Sequence, residues 1–166
     1  AALVAGCAAP TPADYAAEKP VLDLKTYFNG ELVAHGIFTD RSGKVARRFV
    51  VQMTGTWTGN QGVLDERFTY SDGKTERRVW RLTDLGNGRW EGRADDVVGV
   101  ATGVRSGNAL NWRYTLAYRT AEGKTWNIGF DDWMFLVDER VMLNRAVMSF
   151  WGFKVGEVLI SFAPRK

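Results

Sequence analysis

The residues with chemistry to offer are charges set among aromatic side chains. In an extended chain, side chains alternate between two faces, so each apolar run defines a row. Glu66 shares the row of Leu64, Phe68 and Tyr70. Arg78 shares that of Trp80 and Leu82, with Glu76 nearer a turn. Asp96 follows Trp90, Gly92 and Ala94, and Asp132 sits in the row of Trp126, Ile128, Phe130, Met134 and Leu136. Arg145 is assigned to the row of Val141, Leu143 and Val147.

Three kinds of chemistry suit such a set. Carboxylates near Arg and Tyr support acid–base work when one pKa is raised. An Arg fork can hold the carboxylate or phosphate head of a ligand, with Phe68, Trp80, Trp112, Tyr114, Phe130 and Met134 lining a cavity for its apolar tail. The third possibility is structural: charges of opposite sign, buried together, form a paired network. Arg78 and Arg145 are the expected partners of Asp132. A bulge at Asp131-Asp132 is the alternative, turning one of the two acids outward. In the run 109–118 the apolar side is Leu110, Trp112, Tyr114, Leu116 and Tyr118, which sends Asn111, Arg113 and Thr115 toward solvent.

Assembled catalytic groups are lacking. The chain has one His, His35, and one Cys, Cys7, so neither a Ser-His-Asp nor a Cys-His grouping can be composed. Too few ligands exist for a zinc site of the usual kind, and the acidic pairs lack EF-hand spacing. No catalytic residue, metal or cofactor is therefore assigned, and an enzyme is the least supported reading.

The elements that must position these residues are strands. Extended runs follow one another at 31–40, 44–57, 63–70, 75–83, 89–96, 97–105, 109–120, 124–137, 141–150 and 157–164, separated by turns such as Ser71-Asp72-Gly73-Lys74. In the second run Val45, Phe49, Val51, Met53 and Trp57 share a face, with Arg47 the exception. Gly99 and Gly103 point to bends, bulges or close packing. The stretch 21–30 is a short helical turn or an extended lead-in. No long helix is called for, which excludes a parallel α/β fold. The expected fold is all-β: an up-and-down antiparallel meander closed into a lipocalin-like barrel of about eight to ten strands, because closure removes the edges. An open sandwich is the rival.

The chain has 166 residues, of which 45% are hydrophobic and 13% aromatic, enough for one cored domain. Its net charge of +3 comes from scattered basic residues without a long run, which argues for a solvated surface rather than nucleic-acid binding. No apolar stretch reaches the roughly 18 residues of a membrane-spanning helix. The start, AALVAGCAAPTPADYAAEKP, reads as the end of a secretory signal. Val4-Ala5-Gly6-Cys7 resembles the lipobox of bacterial lipoproteins, in which the Cys is acylated and becomes the mature N-terminus. The resulting division is a signal remnant at 1–6, a lipidated Cys7 with a flexible tether over 7–20, and a barrel domain over 21–166. Ala8, not Asp, after the Cys implies sorting to the outer membrane of a Gram-negative bacterium, facing the periplasm. Acyl chains at about 0.8 kcal/mol per buried CH₂ make such anchoring effectively permanent.

The segments NGELVAHGIFTDRSGKVARRF, RRVWRLT, ADDVVGVATG, GNALNWRYTL, FDDWMFL and NRAVMSFWGFKVGEV together resemble a family of bacterial lipoproteins, domain of unknown function 3833, over roughly residues 22–163. The resemblance implies a lipoprotein address and a lipocalin-like fold, and it supplies no reaction or catalytic residue. The expected function is a lipid-anchored envelope lipoprotein that binds or carries a small amphipathic ligand. The alternative is a structural envelope module with a solid, charge-paired core.

Overall fold

The computed structural model describes residues 8–165. Ten antiparallel strands run in order: β1 (Gly30–Asp40), β2 (Val45–Thr58), β3 (Gln61–Tyr70), β4 (Thr75–Gly86), β5 (Arg89–Arg93), β6 (Ala101–Ser106), β7 (Ala109–Arg119), β8 (Thr125–Leu136), β9 (Met142–Phe150) and β10 (Phe153–Pro164). Each pairs with its neighbours in sequence, and β10 closes onto β1 through a register that runs from Leu32 opposite Pro164 to Asp40 opposite Gly156. The expected closed meander is the observed one, and the sandwich is excluded. The run expected over 97–105 is shorter: residues 94–100 form an excursion between β5 and β6, joined to β7 at Val97 and Leu116.

The stretch 21–30 contains one helical turn, α1 (Leu24–Tyr27), which Asp23 starts by accepting a hydrogen bond from the Thr26 N–H at 2.7 Å. This turn plugs one end of the barrel. Leu24 and Phe28 face the interior, and the Tyr27 hydroxyl shares its one proton between the carbonyl oxygens of Phe162 and Arg140, at 3.0 and 2.9 Å. The plug sits so close that a Cβ on Gly55 would lie 1.6 Å from the Phe28 carbonyl oxygen. Gly103 has a similar reason: its missing side chain, like that of Gly92, makes room inside for the Trp112 ring.

In the stretch 7–20, expected to be a flexible tether, one piece packs in an ordered turn on the barrel. Pro12–Tyr15 form a 3₁₀ turn packed on the outside of the wall, where the Tyr15 ring meets Trp133 at 5.6 Å and Phe135 at 5.0 Å. The Leu22 N–H then donates to the Gly107 carbonyl at 2.9 Å. Two outward aromatics need cover, and this strap supplies it. Cys7 lies outside the described residues.

Candidate functional site

The barrel is hollow. A cavity of about 610 Å³ begins at the plug residues Leu24 and Phe28 and ends at exposed residues of the opposite rim, including Tyr118 and Arg119, so it opens at the end away from the plug. Its walls are the rows read from sequence. The Trp80 ring takes Trp112 and Tyr114 edge-on at 5.6 and 5.3 Å, and Tyr114 stacks on Phe130 at 4.8 Å. Phe68 and Met134 also line the cavity, so all six expected lining residues do.

Glu66, Arg78, Asp96 and Asp132 line the same cavity. Glu66 and Arg78 stand opposite each other in the β3–β4 register. The Arg78 fork is nevertheless taken by Asp96, with Nε and Nη2 donating to Oδ2 at 3.0 and 2.8 Å. Asp132 does not pair with Arg78 or Arg145. It faces inward without a bulge, between Trp112 on β7 and Ala146 on β9. Its Oδ2 accepts from Asn144 Nδ2 at 3.2 Å, while Asp132 Oδ1 and Asn144 Oδ1 are buried without a partner among the described residues. At the rim, the Arg47 guanidinium lies 3.5 Å from the centre of the Tyr70 ring, whose hydroxyl donates to Glu76 at 2.7 Å.

Burial dominates the electrostatics. Removal from water pushes Asp132 up to about 7, opposed by the Asn144 hydrogen bond and reinforced by neighbouring Asp131. Glu66 is also pushed up to about 7 by burial, against the pull of the Arg78 charge. Burial alone would lower Arg78, but the Asp96 hydrogen bond and the surrounding negative groups outweigh it and hold the guanidinium charged. Tyr114 is driven well above its ordinary value, first by burial and then by Asp132.

Two expected placements are corrected. Arg145 is outside the barrel, where Nη2 donates to Glu157 Oε1 at 2.6 Å and Lys154 also pairs with Glu157. The inward row of β9 is Met142, Asn144, Ala146 and Met148, so the row read through Leu143 is the outer one, and Leu143 is 48% exposed. Pairing with β8 decides this phase, placing Ala146 beside Asp132. Asn111 does face outward, but it is buried rather than solvated. Its Nδ2 donates to Asp131 Oδ1 at 2.7 Å and to the Asp132 carbonyl at 3.0 Å. Arg113 is exposed and pairs with Asp131 at 3.2 Å.

Asn144 is the site residue that sequence reasoning missed. Its signal was present in the alternative row Met142, Ala146, Met148, which is as apolar as the one chosen.

The model of a family described as protein of unknown function, DUF3833, matches residues 1–164. The chain belongs to the DUF3833 family. No curated protein matches the sequence. Among solved structures the barrel is similar to the S-type phycobiliprotein lyase CPES of Guillardia theta, with a TM-score of 0.65 over 87% of this chain and 94% of that one. At 6% identity the likeness concerns the fold.

Proposed function

We propose that this member of the DUF3833 family is a lipoprotein of the cell envelope that binds or carries a small amphipathic molecule in its barrel. The supporting observation is a largely apolar cavity of about 610 Å³, closed by α1 at one end and open at the other, with unpaired polar atoms on its wall. Its size suits a small ligand, and convergent polar groups in an apolar pocket are what orient one. The hollow interior weighs against the alternative of a solid structural module.

In this reading Cys7 carries the acyl chains, the protein sits on the outer membrane, and the barrel faces the periplasm of a Gram-negative bacterium. The lipobox-like Val4-Ala5-Gly6-Cys7 supports the anchor. Cys7→Ser is expected to release the protein from membranes, and continued attachment of the variant argues against acylation there.

Native mass spectrometry of protein extracted from envelopes tests the carrier. A co-purified amphiphile in stoichiometric amount is the expected result. An empty protein that also fails to take up the apolar fluorophore N-phenylnaphthylamine overturns the reading. The variant Ala146→Trp, which fills the cavity beside Asp132, should abolish uptake while leaving the strand signal in circular dichroism unchanged.

A further inference from the structure

The polar groups in the cavity say which head group suits it. Asp132 is 5% and Asn144 3% exposed, and each has a buried acceptor oxygen without a partner among the described residues. Glu66, 9% exposed, lines the same cavity and forms no ion pair within the described residues. The obvious anion receptor, Arg78, already holds Asp96 through two nitrogens.

An entering carboxylate or phosphate would therefore face Glu66, Asp96 and Asp132 against one committed guanidinium, and its lone pairs would meet further acceptors. A donor would meet the opposite situation. A buried acceptor left unpaired is costly, and a donor-bearing ligand relieves it. A hydroxyl brings one donor; an ammonium brings three and a charge that compensates buried carboxylates.

We infer that the cavity selects an amphiphile with a protonated amine head, seated on Asp132 and Asn144 with Glu66 nearby, and an apolar tail running along Trp80, Tyr114 and Phe130. The inference rests on the cavity being a ligand site. It replaces the Arg-anchored anion expected from sequence with the opposite charge, because Arg78 is spent inside the protein and Arg145 is outside.

Calorimetry of the full chain at about pH 8, above the value of about 7 to which burial raises Asp132 and Glu66, with dodecylamine, dodecanol and dodecanoate separates head from tail, since the three share one chain. Dodecylamine should bind at least about tenfold more tightly than dodecanoate, a difference of roughly 1.4 kcal/mol. Asp132→Asn should erase that preference, weakening dodecylamine binding far more than dodecanol binding. If this variant does not fold, Glu66→Gln, which removes the other buried carboxylate of the cavity that forms no ion pair among the described residues, should reduce the preference in the same direction. Equal binding of amine and carboxylate, tighter binding of the carboxylate, or a preference untouched in the folded variant overturns the inference and leaves the ligand site standing. Failure of all three amphiphiles to bind the unaltered protein overturns the ligand site itself.

Discussion

Arg78 and Arg145 look alike in sequence, each an Arg within an alternating strand, and the structure makes them different. The Arg78 side chain is 16% exposed and holds Asp96, whereas the Arg145 side chain is 60% exposed and holds Glu157. Arg78→Ala should cost about 1–3 kcal/mol in urea denaturation, because it strands Asp96 beside buried Glu66; the partial exposure of Asp96 keeps the loss below that of a fully buried pair. Arg145→Ala should cost at most about 1 kcal/mol. Similar losses for both would show that burial does not separate them. Asp132 and Glu66 carry a pH dependence of defined sign. In the fold each holds its proton to about pH 7, against ordinary values of 3.8 and 4.5. Between those limits the folded chain binds more protons than the unfolded one. Their stabilising contribution is therefore complete below about pH 4 and declines as pH rises through about 7. Asp132→Asn should flatten this decline between about pH 4 and pH 7, seen as a smaller shift of the urea midpoint than in the unaltered protein. Glu157 has the reverse sign: Arg145 and Lys154 hold it down at about 2, so its contribution is lost as pH falls below about 4.5.

At the scale of elements, the strap and the plug are short pieces that complete the barrel. The strap covers Trp133 and Phe135 on the outer wall, where a β-strand would otherwise expose them. Tyr15→Ala should cost about 1–2 kcal/mol, the usual loss for half-buried aromatic contacts, and should speed amide exchange across residues 12–18. Unchanged stability and exchange would mean that the strap is a leash after all. The plug depends on the absence of a side chain at Gly55. Gly55→Ala should push Phe28 away and cost more than about 2 kcal/mol, since the displaced atom is backbone and cannot swing aside. A thermal melt indistinguishable from that of the parent protein would refute this close approach.

At the scale of the whole molecule, the mouth and the N-terminal segment lie toward opposite ends. The strap rests near the β6–β7 turn and the last residues of β8, on the plugged side. The chain from Cys7 to Pro12 reaches at most about 18 Å when fully extended. The proposed acylation of Cys7 therefore predicts a plugged end near the membrane and a mouth pointing away from it. Spin labels in the turns at Asn87 and Glu122 test this orientation in vesicles bearing the lipidated protein. The label at Asn87 should lie nearer the bilayer, and a nearer label at Glu122 would reverse the proposed geometry.

The sequence by itself determined the succession of strands, the closed meander and the apolar rows of β3, β4, β7 and β8. Alternation with period two is a local property, and turn residues mark its ends. The row containing Asp132 was legible for that reason. Where a strand offers two apolar rows, as β9 does through Leu143 or through Met142, Ala146 and Met148, local pattern is silent about which faces in. Only the register with β8 decided it, sending Arg145 out and bringing Asn144 to Asp132. Likewise only the tertiary structure assigned partners. Asp96 reaches Arg78 from an excursion after β5, and Tyr15 covers Asn111's side of the wall from a segment whose composition suggests a leash. Partner choice depends on distances across the barrel, and spacing along the chain does not encode them.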